Sequence, residues 1–135
     1  MWLYQGKEFT SEDIGDHKAF VYEITNLING RKYIGKKRFT KLRTKKPLKG
    51  KLRKRKIRSE SDWQSYYGSN AELKNDVETN KPENFTREIL RLCDSLSEAN
   101  YYEAKYQFDR NVLLSEDYYN EWIQVKVRRS PNQKL

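Results

Sequence analysis

The sequence predicts a small α/β domain of the α+β kind: an antiparallel three-stranded sheet flanked by helices, with a basic insertion after the second strand. Three observations carry this. Phe20, Tyr22 and Ile24 alternate with Val21, Glu23 and Thr25 ahead of Asn29-Gly30, a turn signal that the strand-like Lys32–Gly35 follows. Phe85–Cys93 is rich in apolar and β-forming residues and reads as the third strand. Ser69/Glu72 and Ser95/Glu98 have capping-box spacing, and each pair opens a helical stretch. At 135 residues the chain is expected to form one domain, 1–135, with a core over 19–122.

Residues 1–18 form an expected lead-in that packs on the sheet through Trp2, Leu3, Tyr4, Phe9 and Ile14. His17 is the only histidine, which excludes a His-rich metal site. Gly35 to about Arg43 reads as the start of a helix that Pro47 and Gly50 then break, leaving an arm that orders on a phosphate backbone. Trp63, Tyr66 and Tyr67 sit in a polar loop, as core plugs or as base-stacking readers. A first helix runs to about Val77, and Asn80, Pro82 and Glu83 turn the chain. Cys93 reads as a small buried filler. A second helix spans Leu96 to about Phe108. Residues 111–114 connect it to a turn at 118–122, and Ile123, Val125 and Val127 alternate as a possible last strand before a frayed tail over 129–135.

Charge is concentrated. Residues 36–58 hold 14 of the 28 Lys and Arg and no acidic residue; the other 14 face all 19 acids, a net of −5. A mildly acidic body thus carries an arm suited to a polyanion, with nucleic acid as the expected partner. A single cysteine excludes an intrachain disulfide, and no apolar run is long enough to span a bilayer. The chain is read as cytoplasmic, in a bacterial or phage-infected cell, and not secreted.

Two glutamates lie on the second helix. Glu98 closes the cap with Ser95, whereas Glu103 has no capping role. It sits between Tyr102 and Tyr106, with Ala99 and Gln107 one turn away on the same face, which leaves room for a carboxylate and a cation.

The paired strands resemble the core of the GIY-YIG nuclease family. The second family tripeptide, Tyr33-Ile34-Gly35, is intact; the first is Phe20-Val21-Tyr22 or, more strictly, Val21-Tyr22, with Phe20 or Val21 where the family has glycine. The resemblance implies a divalent metal, one Mg²⁺ or Mn²⁺, on Glu103, and a late asparagine at Asn120. It puts the family arginine at Arg43, with Arg38 and Lys37 also within reach, and offers Tyr66 and Tyr67 where some relatives have a histidine or tyrosine before a helix. It implies that Tyr22 takes the proton of the attacking water while Tyr33 orients water or phosphate, or the reverse. A phenol with an ordinary pKa near 10 needs help in that task, and Lys36, Lys37 and the arginines are expected to favour the phenolate. The activity implied is metal-dependent hydrolysis of DNA by a phage or mobile-element endonuclease, homing or restriction-like, acting as a monomer or homodimer. DNA contacts are expected from Lys36, Lys41, Lys45, Lys46, Lys51, Arg53, Lys54, Arg55, Lys56 and Arg58, and from Trp63, Tyr66 and Tyr67. The alternative is a nucleic-acid-binding module that uses the arm without catalysis.

Overall fold

A computed structural model describes residues 1–45, 49–50 and 55–129, with side-chain surroundings outside 42–48 and 51–58. The main sheet has five strands: β1 (Trp2–Tyr4), β2 (Lys7–Phe9), β3 (Ala19–Asn26), β4 (Lys32–Arg38) and β7 (Phe85–Cys93). Their order is β2-β1-β7-β3-β4. The expected three antiparallel strands are present as β3, β4 and β7. The expected lead-in is instead two further strands, and the sheet is mixed because β1 runs parallel to β7. The physical reason is the second edge of β7. One edge pairs with β3, and the other would expose unpaired N–H and C=O groups unless covered. Gln5-Gly6 makes the tight reversal into β2, with both residues at positive φ (51° and 80°).

The β3 strand lies between β7 and β4 and is buried on both faces. Phe20, Tyr22 and Ile24 enter an aromatic core with Trp2, Phe9, Phe39 and Trp63. Ala19 and Val21 face the other way, with Ile34, Cys93 and Ala99. The connection to β4 is longer than the predicted two-residue turn: Leu27–Arg31 bridge the strands, and Asn26 bonds through its backbone to Gly30 and Arg31. Tyr22 lies opposite Gly35, and Tyr33 opposite Ile24. The two tyrosines are therefore diagonal rather than directly opposed, with ring centroids 6.2 Å apart.

The helix expected from Gly35 to Arg43 is not formed. The β4 strand continues to Arg38, and a separate two-stranded ribbon follows, β5 (Thr40–Lys45) paired with β6 (Arg55–Glu60). Thr40, Thr44 and Ile57 favour extended backbone, and Pro47 and Gly50 fall between the strands rather than inside a helix. Lys46, Lys51, Arg53 and Lys54 lie outside the described residues, as does the question of order in that stretch.

Helix α1 spans Ala71–Asn80, and its cap is Asn70 rather than Ser69: the Asn70 carbonyl oxygen accepts from Leu73 N–H. Helix α2 (Leu96–Asp109) starts as predicted, with Ser95 Oγ accepting from Glu98 N–H at 3.0 Å. The Glu98 carboxylate accepts from Asp94 N–H at 3.0 Å, one residue earlier than a capping box would place it.

The possible last strand at 123–127 is absent, and 121–129 has no regular structure. Pairing happens earlier. Lys32 N–H donates to Asp117 O at 2.8 Å and Tyr119 N–H to Lys32 O at 2.7 Å, so the segment lies along the outer edge of β4. The buried Tyr119 hydroxyl donates to Asp76 at 2.7 Å and accepts from Asn26 at 2.9 Å, and Arg31 stacks 4.1 Å over its ring. An isolated bond at an open strand edge is weak; this anchored ring holds it there. No described helix is long and apolar enough to cross a membrane.

Candidate active site at the outer edge of β4

Helix α2 packs on the face of the sheet that carries Val21 and Ile34. Its facing stripe is Ala99, Tyr102, Glu103, Tyr106 and Gln107, spaced at helical i, i+3, i+4 intervals. Glu103 is the carboxylate within that stripe, and its side chain is only 14% exposed. Burial raises its pKa above the ordinary carboxylate value; Lys36, whose Nζ lies 3.2 Å from Glu103 Oε1, opposes the shift without cancelling it.

Ile34 sits in the outermost strand, where both its backbone groups would be unpaired. Asn120 satisfies them as a short surrogate strand: Oδ1 accepts from Ile34 N–H at 3.1 Å, and Nδ2 donates to Ile34 O at 2.9 Å. Gln107 Nε2 donates to the same carbonyl at 3.0 Å. Asn120 thus spends its carboxamide on positioning β4. Asn120→Ala is expected to cost about 1–3 kcal/mol, because it orphans a part-buried N–H; chemical denaturation checks this.

A cavity of about 230 Å³ opens at this edge, lined by Tyr33, Lys36, Ser69, Asn70, Glu103, Gln107, Asn120, Glu121, Trp122 and Gln124. The Tyr33 hydroxyl shares a 3.0 Å hydrogen bond with Ser69 Oγ. Gly68, with φ +89, lets the chain turn beneath Tyr33, and a Cβ there would lie 3.3 Å from that ring. Tyr22 is 1% exposed and does not line the cavity. Its phenol lies against Gly35, where a Cβ would come within 2.4 Å of the Tyr22 oxygen.

The expected lysine-assisted phenolate is not what this environment favours. Burial, then the neighbouring Tyr66 and Tyr33, push Tyr22 well above its ordinary value. Burial also raises Tyr33, against the hydrogen bond from Ser69. Lys36 is directed to Glu103, and Lys37 pairs with Asp62 at 2.7 Å while stacking 4.1 Å over the Tyr66 ring.

The predicted residues therefore separate. Tyr33, Lys36, Glu103 and Asn120 meet at one cavity. Lys37, Arg38 and Lys41 line a second groove beside the N-terminal end of α2. Arg43 belongs to β5, in the ribbon outside the main sheet; Lys45, Arg55, Lys56 and Arg58 share that ribbon. Of the two readings of Trp63, the core plug holds, and its expected DNA contact is corrected. The residue is 1% exposed and packs on Phe9, Phe20 and Phe39, and its indole N–H donates to Glu60 at 2.6 Å. Tyr66 and Tyr67 are half-buried, Tyr66 edge-on to Tyr22 and Tyr67 under the buried Arg87 guanidinium.

Ser69, Asn70, Gln107 and Glu121 were not singled out as site residues. Gln107 had a signal, a polar side chain one turn from Glu103 in a packing stripe. The others join only because 117–121 returns to β4 and brings its side chains beside α1. Among the described residues, no three His, Cys, Asp or Glu cluster to hold a metal; the carboxylates that line this cavity are Glu103 and Glu121.

Phe20, one of the two residues at the place of the family glycine, is fully buried, with Trp2 at 5.0 Å and Phe39 at 4.6 Å between ring centroids.

Residues 2–123 match the sequence family described as "Putative endonuclease segE, GIY-YIG domain". The chain is similar to the "Putative endonuclease segE" of Enterobacteria phage T4, with 32% identity over 101 residues, 75% of this chain and 39% of that protein. It thus spans about two fifths of the length of that relative. No solved structure matches the chain.

Proposed function

Because the chain belongs to the GIY-YIG family, we propose that it is a metal-dependent endonuclease that hydrolyses phosphodiester bonds of DNA at the Glu103 edge of β4. The similarity to a phage protein supports placing it among phage or mobile-element enzymes. One observation carries the reading: a desolvated carboxylate, a lysine and a tyrosine hydroxyl border the same cavity.

The donor set fits a single hard divalent ion. Glu103 offers carboxylate oxygens, only Oε1 of which is in contact with Lys36, and the cavity has room for water to complete the shell. Glu103 would hold Mg²⁺ or Mn²⁺. When bound, the ion neutralises charge on a phosphoryl oxygen and on the departing oxygen.

The remaining work belongs to side chains of this chain. Lys36 places an ammonium beside the phosphate, and Tyr33 points its hydroxyl at the water. Both phenols start protonated, and Tyr33, the one at the cavity wall, acts first as a donor that orients water and phosphate. The water proton passes to Tyr33 Oη as the Tyr33 proton moves to Ser69 Oγ and the hydroxyl proton of Ser69 leaves in the same step to solvent, to which Ser69 is exposed. Tyr22 supports Tyr33 from behind rather than touching the water. Asn120 and Gln107 keep β4 in register with α2.

Supercoiled plasmid is the test. With Mg²⁺ the protein is expected to convert it to nicked or linear DNA, and excess chelator stops the reaction. Plasmid that is only retarded in the gel, with and without metal, would reduce the protein to a binding module.

A further inference from the structure

The ribbon β5–β6 poses a physical problem. An isolated two-stranded ribbon is marginal in water unless an apolar face packs on something. Its register opposes Lys41 to Ser59, Arg43 to Ile57 and Lys45 to Arg55. Residues 36–58 carry 14 Lys and Arg and no acidic residue, so like charge is concentrated along this stretch, and a polyanion laid against it offsets that charge.

The root of the ribbon is firm. Phe39, between β4 and β5, is fully buried, with Phe9, Phe20 and Trp63 at 5.7, 4.6 and 5.2 Å. Phe39 N–H donates to Lys18 O at 3.0 Å, and Ser61 N–H donates to Phe39 O at 2.8 Å. Glu60, the last residue of β6, accepts from Ser11 Oγ at 2.5 Å and from Trp63 Nε1 at 2.6 Å. The ribbon therefore leaves the core from a fixed base. At roughly 3.4 Å per residue, six-residue strands reach about 20 Å.

Between this root and α2 lies the second groove, about 410 Å³, lined by Lys36, Lys37, Arg38, Lys41 and Asn100 among others. Lys36 borders both this groove and the Glu103 cavity, so one lysine joins them.

We propose that the β5–β6 ribbon enters the major groove of duplex DNA, and that the Lys36–Lys41 groove carries the phosphate backbone from there to the Glu103 edge. Major-groove width admits a two-stranded ribbon, and base edges there are distinguishable; phosphate contacts along the track set the register. The direction of the track rests on the Glu103 cavity being the site of cleavage. The ribbon's docking does not.

The test measures binding on the full chain carrying Glu103→Gln, so turnover plays no part. The probe is a fluorescent 30-bp pool of randomised DNA duplexes, followed by anisotropy from 50 to 200 mM salt. Methyl green, a major-groove ligand, is expected to displace the protein, and the minor-groove ligand netropsin is not. Replacing Lys41, Arg43, Lys45 and Arg55 with serine is expected to weaken binding at least tenfold at 200 mM salt. The log–log salt slope should become shallower by about 0.9 for each lost phosphate contact. Conversion of Lys45 alone to serine, which relieves the opposed pair, checks that a loss is not unfolding; circular dichroism of both variants should match the parent. Displacement by netropsin alone, unchanged binding by the quadruple variant, or equal binding to duplex RNA, whose major groove is deep and narrow, would overturn the proposal. Ribbon-dependent binding without plasmid cleavage would end the nuclease reading and leave the ribbon standing; cleavage that methyl green does not impede would do the opposite.

Discussion

Glu103→Gln is expected to lower DNA cleavage by at least about 10³-fold, the scale on which preorganised electrostatic groups act in catalysis, while leaving DNA binding within a few-fold and raising thermal stability. The first effect follows from losing the one carboxylate of the α2 packing stripe that borders the cavity. The second follows because the Lys36–Lys41 groove and the ribbon are untouched. The third comes from burial. The folded-state pKa of Glu103 lies above its ordinary value of 4.5, so the folded chain holds a proton that the unfolded chain has released. Stability therefore falls as pH rises from about 4.5 through the folded pKa, and the full penalty persists above it. Glutamine carries no such penalty, and the exposed Lys36 contact it gives up is worth little. Melting curves of parent and variant should converge at low pH and separate, variant higher, toward neutrality. Cleavage by the parent should fall on acidification, as the carboxyl takes up its proton. A variant that cleaves at the parental rate would remove Glu103 from the mechanism.

Gly35→Ala is expected to lower cleavage at least about 100-fold, because small misplacements of reacting groups cost on that order, and to destabilise the fold by about 1–3 kcal/mol through overpacking. No positive φ is at issue at this glycine. The added Cβ would stand 2.4 Å from the Tyr22 oxygen, 2.7 Å from Tyr22 Cζ and 3.0 Å from a Tyr33 ring carbon. Tyr22 is held by Trp2, Phe20 and Tyr66, so it has nowhere to withdraw, and the strain reaches Tyr33 at the cavity wall. Chemical denaturation and plasmid cleavage read the two effects separately. Adding Tyr22→Val to Gly35→Ala should recover part of the stability and none of the activity, since the pair shares one volume. Parental cleavage by Gly35→Ala would show that the tyrosine packing does not position the reacting groups.

Much of this was legible in the chain because it depends on local pattern. The period-2 alternation around Tyr22, the apolar run Phe85–Cys93 and the Ser95 cap each state their structure within a few residues. Helical spacing puts Glu103 among Ala99, Tyr102 and Tyr106, and the family resemblance is what singled it out. Strands β1 and β2 were missed because each has three residues, too few for a periodicity, and form only where β7 offers an edge. The ribbon was read as a helix start because its charges hide the weak alternation of Thr40, Leu42 and Thr44.

The amino-acid sequence alone determined the hairpin, the third strand, the capped helix with its embedded glutamate, and the concentration of positive charge, since these arise from contacts between near neighbours. Only the tertiary structure decided which phenol borders the cavity, that Asn120 holds Ile34, that Trp63 is core, and that Lys36 borders both the cavity and the second groove. Those outcomes depend on which strand edge is left open and which segment returns to close it, a competition between distant parts of the chain for the same backbone hydrogen bonds.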